Sequence, residues 1–226
     1  MKVLSLISLV SVVLGYFGYT AVDLKPNLVT KFDYHGIDIS HHNNIYSWKK
    51  VSNEASFCFI KATQGASFKD PEFHQNWVNA KKHGLTRGAY CFFQPGVSAE
   101  KQFNNFKRQV KLSPGDLPPV LDVELNDCNI KEVNKWLKLA EKHYGVKPII
   151  YSTYLFFKVY IDGKIDEGYP LWLHMSPKYK TLPSFDDYDC VFWQYDQKGK
   201  MSGISGHVDL NYYLGDRESF DELLIK

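Results

Sequence analysis

Two carboxylates, Asp122 and Glu124, stand two residues apart at the end of the apolar run 118–124. Side chains alternate along a β-strand, so both acids point to one face, about 7 Å apart at Cα for a rise of about 3.3 Å per residue. Each charge then disturbs the other, and the pair can hold one proton and one negative charge near neutral pH. Glycosidic bond cleavage uses such a pair. A solvated strand end and a metal-binding strand end would show the same residues, so this run alone leaves three interpretations open.

Eight short apolar runs predict the β-strands that would position these acids. They are 36–40, 57–63, 87–93, 118–124, 147–153, 170–175, 190–196 and 207–213. Amphipathic spacing predicts helices over 72–83, 98–112 and 129–144, and a shorter one over 155–161. Strands that alternate with helices indicate βαβ units with a parallel sheet, whereas the last three strands are joined by loops. We therefore expect a closed or nearly closed eight-stranded barrel with about five helices, a truncated relative of the (β/α)₈ barrel.

Two further acids are expected at the same place as the first pair. In barrels of this type the reactive groups gather at the carboxyl ends of the strands. Asp38 lies in the first apolar run, near the carboxyl end of the predicted strand, and Asp209 lies on the last, which a closed barrel places beside the first. Acids that are merely solvated have no need to lie inside apolar runs, so the arrangement favours a reactive cluster.

Composition bounds the class of protein. A length of 226 residues fits one domain with a sizeable core. The net charge of +2 is spread through the chain, and no run of Lys and Arg indicates nucleic-acid binding. Aromatic residues make up 15% of the chain, which predicts mostly core packing, although Tyr and Trp near strand ends would also suit sugar rings.

The N-terminus predicts export. Lys2 is followed by an uncharged apolar stretch over 3–19, which indicates a signal peptide over 1–21 or an uncleaved membrane anchor. A linker over 22–34 would then lead into a barrel domain over 35–226. Either interpretation delivers the domain outside the cytoplasm, as a secreted, periplasmic or membrane-tethered protein.

Four cysteines are scattered through the chain without a Cys-x-x-Cys pair, at Cys58, Cys91, Cys128 and Cys190. An even number in an exported protein permits disulfides. Cys58 and Cys91 fall on strands that should be neighbours, and both should face away from the barrel axis. Two buried free thiols are the commoner outcome for such residues.

The chain resembles glycoside hydrolase family 25, the lysozymes that cleave bacterial cell wall. The matching pieces cover nearly everything after the linker, and their order and spacing carry the resemblance. They are GIDIS (36–40), FIKATQG (59–65), DPEF (70–73), GL (84–85), GAY (88–90), LPPVLDVE (117–124), PIIYS (148–152), LW (171–172), WQY (193–195) and VDLN (208–211).

The resemblance implies a modified TIM-type fold, a single flattened eight-stranded barrel of the (β/α)₅β₃ type. It also implies hydrolysis of the β-1,4 bond between N-acetylmuramic acid and N-acetylglucosamine in bacterial peptidoglycan. Glu124 would be the general acid, and Asp122 would orient and stabilise the reacting centre. Asp38 and Asp209 would complete an acidic floor. Two mechanisms stay open: attack by the substrate's own 2-acetamido group, and an inverting water.

The resemblance also places five residues in the substrate groove: Lys61, Tyr90, Tyr151, Trp172 and Gln194. Lys61 would equally serve as a charge partner that lowers an aspartate pKa, and the aromatic residues would equally fit the barrel core. Cys91 stands where the family commonly has histidine, and Gln64 where it commonly has glutamate. These departures concern subsite preference and leave the four acids untouched.

Two competing functions stay open beside a muramidase. One is a glycan-binding barrel without turnover. The other is a metal-dependent envelope hydrolase that would combine the acids with His41, His42, His174 and His207, although no metal-ligand spacing supports it. We expect no metal and no cofactor, peptidoglycan as the partner and a monomer. Sensitivity to chelators would separate the metal-dependent hydrolase from the muramidase.

Overall fold

The computed structural model describes residues 32–166, 168–176 and 188–226. The predicted leader over 1–21, with its membrane tether over 3–19, lies outside these ranges, as does most of the predicted linker. Within these ranges, no helix is long and apolar enough to cross a membrane.

All eight predicted strands are present, and three short strands join them in the described ranges. In chain order they are β1 (His35–Ile39), β2 (Asn44–Ile45), β3 (Phe57–Gln64), β4 (Phe68–Lys69), β5 (Thr86–Phe92), β6 (Val120–Asp122), β7 (Ile149–Thr153), β8 (Leu171–His174), β9 (Cys190–Gly199), β10 (Ile204–Ser205) and β11 (Val208–Tyr213).

Eight of these strands close into a barrel in the order β1-β11-β9-β8-β7-β6-β5-β3, with β3 paired back to β1. Neighbours from β1 through β3 and β5 to β9 are parallel. β11 is antiparallel to both β1 and β9. The start of β11 therefore lies at the same end of the barrel as the carboxyl ends of the other strands.

The helices that were predicted are present, at slightly different bounds. In chain order the described α-helices are α1 (Trp48–Val51), α2 (Phe73–Lys82), α3 (Ala99–Gln109), α4 (Ile130–Tyr144), α5 (Tyr154–Phe156) and α6 (Arg217–Leu223). α5 continues into a π-helical turn, Phe157–Ile161. The Asn129 side chain caps α4 at the Lys131 N–H, and Gly145 ends it with φ of 73°. α1 and α6 were not predicted.

β6 is shorter than the run that predicted it. The strand begins at Val120 because Pro118 and Pro119 have no N–H to donate to a neighbouring strand. It ends at Asp122, so the prediction that Glu124 lies within the strand is wrong. The Val123 N–H still donates to the Tyr151 carbonyl at 2.9 Å, which holds the chain in line for one more residue.

Alternation along the strands builds two apolar layers. On β3, Phe57 and Phe59 belong to the layer inside the barrel, whereas Cys58 and Ile60 belong to the layer between barrel and helices. A Cβ at Gly88 would lie 2.4 Å from the Phe59 ring, so glycine is needed there. Phe59 in turn stacks on Trp172, with ring centroids 4.4 Å apart.

α6 packs at the opposite end of the barrel from the acids. Its Phe220 lies within ring contact of Tyr34, Tyr213 and Phe57. Phe57 is the first residue of β3 and Tyr213 the last of the antiparallel β11, so these rings mark the amino end of the barrel. Tyr34 belonged to the predicted linker, and it is part of this packing.

All four cysteines lie in described ranges, and all are free thiols. Cys58 and Cys91 are on the neighbouring strands β3 and β5 and belong to the outer layer, as predicted. They are out of register, because Cys58 stands opposite Arg87 and Cys91 opposite Thr63. Both are fully buried, as small apolar residues.

Candidate active site

The four predicted acids line one cavity of about 210 Å³ at the carboxyl end of the parallel strands. The five predicted groove residues line it as well. The full lining is Asp38, Ser40, His42, Lys61, Tyr90, Phe92, Asp122, Glu124, Tyr151, Trp172, Gln194, Gln197 and Asp209. All eight barrel strands thus contribute a residue to this cavity.

Asp38 forms the floor of the cavity and is held by two amides. Its Oδ2 accepts hydrogen bonds from Gln194 Nε2 and Asn211 Nδ2, both at 2.8 Å. Asp209 stands directly opposite Asp38 on β11, and its Oδ2 lies 3.5 Å from the same Gln194 Nε2. Burial raises the pKa of Asp38, and these hydrogen bonds oppose the rise.

Asp122 is buried, and its Oδ1 has no hydrogen-bond partner among the described residues. Its pKa is raised well above the ordinary value, first by burial and then by the charge of Glu124. Lys61 acts in the opposite direction. An unpaired buried carboxyl oxygen is costly, so Asp122 is suited to accept a hydrogen bond from a bound molecule.

Glu124 follows β6 directly and is only partly buried, so it is the more accessible of the two acids. Burial raises its pKa first, and the charge of Asp38 adds to the effect, whereas Lys61 lowers it. Because the Asp122 and Glu124 carboxyls interact, they titrate as a pair, and both pKa shifts favour retention of a proton by that pair.

Asp209 has a strongly raised pKa. Burial, followed by the charge of Asp38, raises the pKa of Asp209 to about 9. The hydrogen bond to Asp38 and the charge of Glu124 act in the same direction. Asp209 is therefore a neutral carboxyl at neutral pH.

Lys61 is the cation of the cavity. Its Nζ donates to Gln64 Oε1 at 3.0 Å and lies 4.9 Å from the centre of the Phe92 ring. It also lowers the pKa of Asp122 and Glu124. Both interpretations of Lys61, as a groove residue and as a charge partner of the acids, are thus compatible with its position.

Tyr151 and Trp172 belong to the inner apolar layer and also line the cavity, so core and groove are one surface here. The Tyr151 hydroxyl donates to Gln194 Oε1 at 2.8 Å. Trp172 Nε1 donates to Asn211 Oδ1 at 2.8 Å. Tyr90 is half-buried, and its pKa is raised well above the ordinary value by burial and then by the surrounding aspartates.

Five residues of the site were not predicted to line the groove: Ser40, Phe92, Gln197 and Asn211 had no predicted role, and His42 was considered only as a metal ligand. Ser40 and His42 follow Asp38 at the strand period, Phe92 follows Tyr90, and Asn211 follows Asp209. The alternation that paired Asp122 with Glu124 therefore carried a signal for four of them. No such signal identified Gln197, because register shifts between β9 and β11 interrupt the alternation of side chains there.

The four histidines proposed as metal ligands do not form one donor set. His41 Nδ1 contacts buried Asp70 at 2.7 Å, His174 Nδ1 contacts the Gln194 carbonyl, and His207 Nδ1 contacts the Lys198 carbonyl. Of the four, His42 alone lines the cavity. Across residues 32–166, 168–176 and 188–226, no group of three or more His, Cys, Asp or Glu could hold a metal ion.

Acids gathered at the carboxyl end of a closed β/α barrel place this chain in the class of barrel enzymes that build their active sites at that end, and a carboxyl pair there suits the cleavage of glycosidic bonds. Comparisons with known proteins agree. The sequence profile of glycosyl hydrolases family 25 matches residues 37–204. The Escherichia coli (strain K12) protein YegX is 38% identical over 215 residues, which are 90% of this chain and 78% of YegX.

Two further relatives are informative. Lysozyme M1 of Streptomyces globisporus is 31% identical over 201 residues, 80% of this chain and 67% of that protein. A solved structure of a family 25 glycosyl hydrolase from Bacillus anthracis superposes with a TM-score of 0.78 at 29% identity, covering 92% of this chain and 99% of that one. The chain belongs to glycoside hydrolase family 25 and is a glycosidase. The predicted modified TIM-type barrel is confirmed.

Proposed function

We propose that this glycosidase is a muramidase, which hydrolyses the β-1,4 bond between N-acetylmuramic acid and N-acetylglucosamine in bacterial peptidoglycan. One observation carries the proposal: an accessible Glu124 and a buried Asp122 share a cavity with two further acids, Asp38 and Asp209. The name of one relative, a lysozyme, supports the same substrate.

Glu124 is the general acid of this mechanism. A general acid must hold a proton near neutral pH and reach the leaving oxygen. Burial and the charge of Asp38 raise the pKa of Glu124, and its partial exposure leaves it open to a substrate. The proton held by the Asp122–Glu124 pair can therefore be delivered from Glu124.

Asp122 orients the substrate and stabilises the transition state, and it does not donate a proton to the leaving group. Its unpartnered Oδ1 can accept the N–H of a 2-acetamido group and so position the substrate. When the proton of the pair lies on Glu124, Asp122 is an anion and also stabilises the positive charge that develops on the sugar ring. The Asp38 anion and the Asp209 carboxyl form the floor below it, and the two negative charges favour an oxocarbenium-like transition state.

The groove residues bind the sugars. Tyr90, Tyr151 and Trp172 offer aromatic surface and polar atoms in one cavity, and Lys61 and Gln194 offer hydrogen-bond donors. We further propose that the chain acts as a monomer and uses no cofactor.

The deciding experiment uses the full chain on purified peptidoglycan, with the new reducing ends identified chemically. Wild-type protein should release muramic acid reducing ends, and Glu124→Gln should lower the rate by about 10²- to 10⁴-fold, because the general acid is lost. Glu222→Gln is the matched control, since Glu222 is exposed on α6 and should leave the rate unchanged.

Two outcomes would contradict the proposal. Glucosamine reducing ends would show that a different bond is cut, and release of fragments by folded Glu124→Gln at the wild-type rate would remove Glu124 from the reaction. Loss of activity in chelator, restored by a divalent ion, would favour a metal-dependent hydrolase.

Export completes the proposal, because peptidoglycan lies outside the cytoplasm. We propose that residues 1–21 direct the chain across the membrane and that residues 22–34 connect them to a catalytic barrel over 35–226. N-terminal sequencing of the mature protein tests this: a start near residue 22 indicates a cleaved signal peptide, and a retained Met1 in a membrane fraction indicates an anchor. A retained Met1 in the cytoplasm would contradict export.

A further inference from the structure

The floor of the cavity holds two carboxyls that face each other across a strand pair. Asp38 on β1 and Asp209 on β11 are directly opposite in antiparallel register, and Gln194 Nε2 lies 2.8 Å from Asp38 Oδ2 and 3.5 Å from Asp209 Oδ2. Two buried carboxylates held this close repel each other, which favours a proton on one of them. The pair therefore shares one proton, and the structure must specify which partner holds it.

Asn211 has an amide whose orientation is unambiguous. Its Oδ1 accepts from Trp172 Nε1 at 2.8 Å, and its Nδ2 donates to Asp38 Oδ2 at 2.8 Å. An indole N–H only donates, so the oxygen of the Asn211 amide must face Trp172 and the NH₂ must face Asp38. Asn211 is fully buried, which leaves water no access to replace either bond.

Gln194 supplies the second donor to the same oxygen. Its Nε2 donates to Asp38 Oδ2 at 2.8 Å, while its Oε1 accepts from Tyr151 at 2.8 Å and from Gln197 at 3.2 Å. Two N–H donors on one oxygen stabilise the ionised form of Asp38, because hydrogen bonds to the charged form favour it.

We propose that Asn211 is a positioning residue: its amide, oriented by Trp172, keeps Asp38 ionised and leaves the shared proton on Asp209. The floor then presents one anion and one O–H group in place of two anions. This limits the negative charge beside the Asp122–Glu124 pair, whose proton the reaction uses. The consequence for turnover rests on the proposed muramidase function, whereas the location of the proton does not.

The other charged and titratable groups around the pair are compatible with this assignment. Asp122, Glu124 and Asp196 bring negative charge, Lys61 brings positive charge, and Tyr90, Tyr151 and His42 line the same space. The charges of Glu124 and Asp196 both raise the pKa of Asp209, after burial and the charge of Asp38. The charges of Asp38, Glu124 and Asp196 thus all favour a proton on Asp209.

The proton can be located directly, without an activity measurement. Carboxyl ¹³C resonances of the full chain labelled with ¹³C-aspartate are followed against pH, with Asp209→Asn and Asp38→Asn used for assignment. We expect Asp209 to stay protonated and Asp38 ionised through neutral pH. In Asn211→Leu, the Asp38 resonance should shift toward the protonated value, and titration of the pair should move upward by about one pH unit, since a donor to the anion is lost.

Activity provides a second, separable result. If the pair acts in turnover, Asn211→Leu should lower kcat by about tenfold or more, with less effect on KM, and move the limbs of the pH profile upward by about one unit. Thr63→Val is the control, because Thr63 is fully buried on β3 and outside this network, and it should leave the profile unchanged.

Three results would overturn the proposal: Asp38 protonated in the wild type, an Asp38 resonance unaffected by Asn211→Leu, or a pH profile that moves equally in Thr63→Val. Should Asn211→Leu not fold, Trp172→Phe removes the donor that orients Asn211, and the Asp38 resonance should shift in the same direction. An unchanged resonance there would also overturn the proposal. The expected resonances in a protein without activity on peptidoglycan would refute the muramidase function alone.

Discussion

At the scale of single residues, the acids of the cavity link the reaction to stability. Asp38, Asp122, Glu124 and Asp209 all have raised pKa values, with burial as the largest cause in each. A folded protein that retains protons on such groups binds more protons than its unfolded chain. The contribution of these four groups to the free energy of unfolding must then fall as pH rises.

Asp209 allows this linkage to be tested on one residue. Its pKa is about 9 in the folded protein and about 4 in an unfolded chain. The contribution of Asp209 to the free energy of unfolding is therefore complete below about pH 4 and is lost as pH rises toward 9. Asp209→Asn cannot ionise and can still donate to Asp38. It should therefore reduce the decline in the free energy of unfolding across this window, measured by urea denaturation at a series of pH values.

Asp221→Asn is the control for this series, because Asp221 is an exposed carboxylate on α6. It should leave the slope of stability against pH unchanged. Equal slopes in wild-type protein and Asp209→Asn would show that Asp209 is already ionised at neutral pH.

At the scale of elements, a buried ion pair joins three pieces of the first half of the barrel. Arg87 on β5 donates to Asp116, before β6, through Nε at 2.8 Å and Nη2 at 3.2 Å. Its Nη1 donates to the Trp77 carbonyl of α2, and its guanidinium lies 4.0 Å from the centre of the Trp77 ring. The pair thus connects α2 and β5 to the chain that enters β6, which carries Asp122.

Breaking this pair should be costly. Asp116→Asn leaves the Arg87 charge buried without compensation, and we expect a loss of about 3–5 kcal/mol in the free energy of unfolding. The double variant Arg87→Met/Asp116→Leu should recover most of the loss, because it removes both charges. Urea denaturation of the three proteins measures these differences.

The exposed pair Arg217–Asp221 on α6 is the matched control. Arg217→Met should cost less than about 1 kcal/mol, because water screens that pair. If Asp116→Asn costs no more than Arg217→Met, the buried pair does not stabilise the barrel in the way its geometry indicates.

At the scale of the whole molecule, the barrel separates a reactive end from a packing end. The acids occupy the carboxyl end of the parallel strands, and the rings around Phe220 occupy the amino end. Changes at the amino end should therefore alter stability without altering turnover.

Phe220→Ala tests this separation. Truncating a buried aromatic side chain should cost about 3–5 kcal/mol in the free energy of unfolding. At temperatures where the variant is folded, kcat/KM on peptidoglycan should equal the wild-type value. Glu222→Ala, on the exposed face of the same helix, should stay within about 0.5 kcal/mol. A fall in kcat/KM of folded Phe220→Ala would show that the two ends are coupled.

Much of this arrangement follows from local sequence patterns. Strand alternation and the order of apolar runs predict the eight barrel strands, and the same alternation assigns Asp122 and Glu124 to one face. The four acids then lie at the same end of the barrel, because closure brings the carboxyl ends of the parallel strands together there. These inferences need only neighbours along the chain and a closure rule.

The remainder depended on contacts between distant parts of the chain. β11 runs antiparallel to β1, the amino end is covered by α6, and β2 pairs with β10, and none of these follows from a local period. Asn211 contacts Asp38 from 173 residues away, and Trp172 orients it. Where the protons lie depends on burial and on charges that only the fold brings together. Local sequence patterns thus identify the residues that could react, whereas the fold determines which of them retain a proton.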